Sequence, residues 1–301
     1  MAPPLVVVPG GMLKFFVVYW SLQALAGRTP LSLGHRVWLG AITLSLVMIL
    51  MRVYDELKDL DSDLKLGRAG DPRYKDRALV RGAVLPRDIR ALRNLLVVLL
   101  WVVNLALLSP IAISAFAVLF LVLWLSSRWF FYPAIARSLA LAFVTHNPIT
   151  LVLGGYIVAV FVADYGVASV DAQSCLLVLL SLWIPVAAWE LSRKVRIPED
   201  ETDYETYSRL FGWKTAALLP VLSCAAAAAT LAALARLMQL PPWYSWVLVA
   251  AASLVALGSL RLLLWPSSRS SKLEPYTRGF AALTDLGLFA ALLSVFEVSL
   301  P

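Results

Sequence analysis

The sequence predicts an all-α, polytopic membrane protein with nine transmembrane helices around a central lipid-facing cavity. Three observations predict it. Of the 301 residues, 60% are hydrophobic and 15% are charged, whereas a soluble domain averages about 45–50% and about 25%. The apolar residues fall into nine runs, each near the roughly 20 residues that a spanning helix needs. The cations crowd the loops after even-numbered runs and avoid the others. With a mean hydropathy of +0.79, the apolar excess is too large for one aqueous core. That excludes a soluble globular enzyme, a disordered chain and a disulfide-stapled secreted module. Cys175 and Cys224 are isolated in apolar stretches and make neither a disulfide framework nor a metal site.

The runs are 5–26, 33–54, 89–108, 110–130, 134–163, 172–192, 214–237, 243–265 and 277–297. All are read as helices, because open strands cannot satisfy their backbone in lipid. Pro3, Pro4, Pro9 and Gly10-Gly11 should fray the start of the first. It lacks a basic leader and a small-residue cleavage site, so it reads as mature structure. The fifth is long, and Asn147-Pro148 should kink it at mid-depth. One transmembrane domain over 1–301 is expected, with hydrophilic loops at about 55–88 and 190–213.

Of 26 Lys and Arg, 21 lie beside the loops that follow runs 2, 4, 6 and 8. The positive-inside rule puts those loops and the N-terminus in the cytoplasm and the C-terminus outside. The expected protein is a multi-pass component of the cell or inner membrane. Its net charge of +7 answers to membrane lipid and not to nucleic acid. The acids are more concentrated still. Eight of 19 lie between Asp55 and Asp88, and six between Glu190 and Glu205.

The first cluster continues run 2 with no helix breaker before Gly67. Asp55, Asp59 and Asp63 follow i, i+4, i+8, and Glu56 joins their face. Like charges at that spacing repel, so they call for a counter-cation. Hard carboxylate oxygens suit Mg²⁺ shared with a phosphate, and Lys65, Arg77 and Arg81 would meet the phosphate. An amphipathic interfacial helix of mixed charge is the plainer alternative.

This pattern resembles the UbiA superfamily of intramembrane prenyltransferases, whose members include terpene cyclases. The family's first motif reads N-D-x-x-D-x-x-x-D after the second span. Here Asp55-Glu56-x-x-Asp59-x-x-x-Asp63 stands at that place. Asp59 and Asp63 match outright, Glu56 replaces Asp, and Asp55 replaces Asn. Arg77-Ala-Leu-Val-Arg81-Gly82 stands where the family often carries R-P-L-x-x-G, with Ala78 for Pro. The second motif, D-x-x-x-D, has two registers. Glu190-x-x-x-Lys194 keeps the helix end but exchanges an acid for a base. Glu199-x-x-x-Asp203 keeps the charge but follows Pro198. Thr206-x-Ser208-x-x-x-Gly212 is similar to the family's approach to span 7.

The resemblance implies an Mg²⁺-dependent enzyme, working at the cytoplasmic face, that ionises an isoprenoid diphosphate and transfers the prenyl group to an acceptor. A terpene cyclase, with no acceptor, is the rival implied by the same family. A transporter or non-catalytic membrane protein is the reading outside it. Asp59, Asp63 and Glu190 would be catalytic. Asp55, Glu56, Asp59, Asp63 and Glu190 would hold metal, with Glu199 and Asp203 as second candidates. Lys65, Arg77, Arg81, Arg193 and Lys194 would contact diphosphate. An allylic cation needs shelter from water and aromatic faces, which Tyr132 and Trp189 could supply, although both types also gather at interfaces. Polar residues at membrane depth are costly unless they face the bundle interior. His146, Asn147, Asn104 and Gln23 are therefore candidates for the cavity or the acceptor. For His146 and Asn147 the plainer role is to satisfy backbone freed by Pro148. Asp285, in the ninth run, is expected to pair with Arg278 two turns earlier.

Overall fold

The structure is a computed structural model that describes residues 4–71, 74–128, 138–169, 171–201 and 205–299. It is helical, as expected. The helices are α1 (Pro4–Leu25), α2 (His35–Arg68), α3 (Pro86–Leu105), α4 (Pro110–Ser127), α5 (Leu139–His146), α6 (Ile149–Tyr165), α7 (Ala172–Ser192), α8 (Tyr207–Phe211), α9 (Trp213–Leu237), α10 (Trp243–Leu264) and α11 (Glu274–Val295). Two-residue strands β1 (Leu31–Ser32) and β2 (Val298–Ser299) pair in parallel. Among the described residues seven stretches are long and apolar enough to cross a membrane: α2, α4, the α5–α6 stretch, α7, α9, α10 and α11. The two other expected spans, α1 and α3, are helices of 22 and 20 residues. Arg87, Asp88, Arg90 and Arg93 crowd the first two turns of α3.

The chain divides into two compact units, Met1–Met12 with Trp38–Phe130, and Leu13–Val37 with Phe131–Pro301. In the first unit α1 crosses α2 closely. A Cβ on Gly11 would lie 2.8 Å from Ser45 Cα. That approach lets the Ser45 hydroxyl donate to the Val8 carbonyl at 3.0 Å. The expected fraying of α1 is thus corrected: the helix runs through Pro9, and a neighbouring hydroxyl serves its backbone. Buried Asn104 on α3 donates to Thr43 Oγ1 on α2 at 3.0 Å and to the Leu100 carbonyl at 2.8 Å. Trp101 meets Phe116 and Phe120 edge-on and joins α3 to α4. Asn104→Ala strands a buried hydroxyl at Thr43, and should cost about 1–3 kcal/mol in thermal unfolding.

In the second unit α7 packs on α9 and α11, and α10 packs on both α9 and α11. Gly258 on α10 has no Cβ because the Tyr276 ring of α11 occupies that space, with ring carbons 2.7–2.9 Å away. The later part of α1 belongs here. Trp20 stacks on Phe289 of α11 at 5.4 Å, and Tyr19 meets Phe161 of α6 edge-on. Fully buried Gln23 donates to the Tyr165 hydroxyl at 2.6 Å and accepts from the Ser32 amide. Asp164 accepts from Tyr19 at 2.5 Å and from Arg36 at 2.9 Å.

Candidate active site

The motif residues of the first unit sit where α2 outruns the bilayer. At about 1.5 Å per residue α2 is about 51 Å long, against a hydrocarbon core of about 30 Å. Its apolar part ends near Tyr54. The extension is helical because nothing before Gly67 breaks it, and Lys65 and Arg68 suit the negative end of the dipole. Asp55, Glu56, Asp59 and Asp63 therefore ride one helix at the expected spacing. Their surroundings differ. Asp55 and Asp59 are exposed and Glu56 is half-buried. Lys58 Nζ approaches Asp55 Oδ1 at 3.5 Å. Asp63 is buried, at 5% exposure, and forms an ion pair with Arg77.

Arg77 belongs to a tight loop that leads to α3. Its guanidinium lies 4.6 Å from the Tyr74 ring centroid, and its carbonyl accepts from the Arg81 amide. Gly67 seats this loop. A Cβ there would be 2.6 Å from both Val80 methyls, so the helix end and the arginine loop pack directly together. The structure thus joins Asp63 and Arg77, which the sequence places fourteen residues apart. Lys65 and Arg81 are exposed beside them. Pro86 and Asp88 then start α3, the Leu85 amide donating to the Asp88 carboxylate at 2.9 Å.

In the second unit Glu190 lies on the last turn of α7. Both its oxygens are engaged. Arg193 donates from Nε and from Nη2, and Lys194 Nζ lies 2.9 Å away. Lys194 is buried at 7% exposure, whereas Arg193 is exposed. The acid of this motif is thus matched to two cations, which fits an anion-binding end better than a bare metal ligand. Trp189, expected as a cavity ring, instead serves charged groups at the helix end. The Arg193 guanidinium stands 5.2 Å from its centroid, and its indole donates to Glu274 Oε1 at 3.1 Å.

The other register is scattered. Glu199 is exposed in the 3-10 turn Pro198–Asp200. Asp203 lies outside the described residues. Neighbouring acids have structural work: Thr206 donates to both Glu201 oxygens at 2.7 and 2.8 Å, and Glu205 accepts from the Leu139 amide that begins α5. Gly212 then turns the chain into α9 with φ +79°, where a side chain would be strained.

Among the described residues no three His, Cys, Asp or Glu side chains gather as a ready metal cage. Mg²⁺ does not demand one. It is commonly held by one or two carboxylates, the remaining positions filled by waters and substrate phosphate. Asp55 and Asp59, i and i+4 on one helix and both exposed, offer that donor set.

At depth the expected residues divide. Asn104 and Gln23, read as cavity residues, instead bond within helix packing, as described above. His146 ends α5. Asn147 fills the break between α5 and α6, where a kink was expected. It is buried at 8% exposure, and its Oδ1 has no hydrogen-bond partner among the described residues. Tyr132 lies outside the described residues. Asp285 takes Lys14 of α1 at 2.5 Å, not Arg278, which pairs with Glu274. The sequence reading missed Lys14 as its partner, since no local spacing links the two.

No protein-family model matches the sequence, and no curated protein does. Two solved structures share the fold. A UbiA homolog from Aeropyrum pernix K1 superposes with a TM-score of 0.65 at 19% identity, over 94% of this chain and 97% of that one. A structure described as digeranylgeranylglyceryl phosphate synthase in membranes superposes with a TM-score of 0.59 at 13% identity, over 97% of each chain. The chain has the fold of the UbiA superfamily, an all-α polytopic membrane fold.

Proposed function

We propose that this UbiA-fold chain is an intramembrane prenyltransferase that ionises an isoprenoid diphosphate with Mg²⁺ at the cytoplasmic face. The observation that carries the reading is the extension of α2. Two exposed carboxylates stand on it beside buried Asp63, which pairs with exposed Arg77. Repelling acids stacked at a membrane edge bring no stability of their own, so a cation shared with an anionic ligand is their best use. The positive-inside bias supports a cytoplasmic location for this end. A digeranylgeranylglyceryl phosphate synthase that shares the fold supports prenyl chemistry on it.

Mg²⁺, held by Asp55 and Asp59 with Glu56 and Asp63 beside them, would neutralise charge on the departing diphosphate. Arg77 and Arg81 of the loop, with Lys65 on the last turn of α2, bind phosphate oxygens. In the second unit Arg193 and Lys194, both paired to Glu190, make a cationic end of α7 that suits phosphate oxygens. Glu199 and Asp203 remain secondary ligand candidates. The allylic C–O bond breaks, pyrophosphate leaves with the electron pair, and the acceptor supplies the new bond and loses a proton. Asn147 fits acceptor binding, because its buried Oδ1 lacks a donor and an acceptor hydroxyl would provide one. His146, the preceding residue, whose side chain lies outside what the structure describes, is a second candidate for that role.

The test is product analysis with farnesyl and geranylgeranyl diphosphates, with and without aromatic or lipid-alcohol acceptors. Alkylated acceptor is the expected product, and Asn147→Ala should raise the acceptor KM by about tenfold. A cyclic hydrocarbon formed without acceptor would establish the cyclase in its place. Release that is unchanged in Asp59→Ala would overturn both enzymes.

A further inference from the structure

We propose that Arg278 is a further diphosphate-binding residue, and that Glu274 is a resident carboxylate that the diphosphate displaces from it. The inference rests on the reading above and extends it to α11, which no sequence motif marks. Arg278 and Glu274 form an i, i+4 ion pair on the first turns of that helix. Alone, such a pair is worth only a few tenths of a kcal/mol and needs no third partner. Here it has one. The Trp189 indole of α7 donates to Glu274 Oε1, and the Arg278 guanidinium stands 5.9 Å from the Trp189 centroid. Arg193, four residues after Trp189, stands 5.2 Å from the same centroid.

One ring therefore holds two guanidinium groups at one end of the second unit. Ring contact reduces the rotamer freedom of two long side chains and offsets some of their repulsion. Both remain open to a ligand, with side chains 44% and 59% exposed for Arg193 and Arg278. Lys194 stands behind them on Glu190. Three cations against two carboxylates leave a net positive charge. The planar fork of each guanidinium suits phosphate oxygens bidentately. Glu274 meets Nη2 of Arg278 with one oxygen, a carboxylate standing where a phosphate would bind.

The experiment is titration of the full-length, detergent-solubilised protein with inorganic pyrophosphate and Mg²⁺, read by calorimetry, with unfolding temperature as a fold control. Arg278→Ala should weaken pyrophosphate binding about tenfold, and Arg278→Lys should recover part of it. Glu274→Gln keeps an acceptor for the Trp189 indole but removes the competing charge. It should tighten binding about threefold. A purely structural pair would move both variants in the same direction. Wild-type binding with Arg278→Ala unchanged, or Glu274→Gln weakened, would overturn this proposal alone. No binding by the wild-type protein would overturn it together with the functional reading.

Discussion

Asp63→Ala is expected to lower prenyl diphosphate ionisation by about a thousandfold, the scale of losing a preorganised electrostatic group. Two effects combine. One carboxylate is lost from the α2 stack, and Arg77 loses the buried partner that holds its loop. Arg77→Ala should cost less, about ten- to a hundredfold, and mostly in substrate KM, because it removes one phosphate contact of several. If the two act as a unit, the double variant should be no worse than Asp63→Ala. Pyrophosphate release across the three variants, fitted for kcat and KM, checks this. Fully additive losses would show that Arg77 and Asp63 work independently.

The largest stability effect is expected at Lys14 and Asp285. Lys14 lies ten residues from the start of α1 and eleven from its end; Asp285 lies eleven from the start of α11 and ten from its end. Each charge is therefore near the middle of its helix, and the two neutralise each other at 2.5 Å. A lone charge at the centre of a spanning helix costs about 3 kcal/mol or more. Lys14→Leu and Asp285→Leu should each destabilise by about 3–5 kcal/mol, because each leaves the other charge uncompensated. The double Leu variant should return close to wild type or exceed it. Thermal unfolding in detergent reads all three. Single variants as stable as wild type would show that the pair faces water.

Most of the helices were legible because lipid imposes one rule on each. An apolar run of spanning length must be helical, and where their residues are described the runs from 33–54 to 277–297 fall in α2 to α7 and α9 to α11, the fifth divided into α5 and α6. The extension of α2 was legible because Arg52 to Leu66 holds no breaker. The gap between α5 and α6 was legible from Asn147-Pro148. The start of α1 was not, since Pro9 and Gly10-Gly11 read as breakers while the helix runs through them and packs on Ser45, a residue far along the chain. Partners follow the same divide. The i, i+4 acids of α2 could be placed from spacing alone. Arg77 on Asp63 and Lys194 on Glu190 are near in sequence, yet motif order gives the cations to phosphate and the acids to metal and does not pair them. Lys14 on Asp285 joins residues 271 apart, and the Asn104–Thr43 bond 61 apart. Such pairings depend on how helices pack, which hydropathy does not encode. The six acids between Glu190 and Glu205 read as one cluster, but Glu201 and Glu205 are consumed by capping and loop bonds. Short acidic runs after a helix serve either use with the same composition.

Cleavage of the allylic C–O bond of an isoprenoid diphosphate is the step on which the proposed function rests. It is tested most directly by incubating the purified wild-type protein with geranyl, farnesyl and geranylgeranyl diphosphates and following pyrophosphate. Release is expected from at least one of them in Mg²⁺, abolished by chelation and restored by adding Mg²⁺ back. Absence of release from all three, by a folded protein supplied with Mg²⁺ and acceptors, would contradict it.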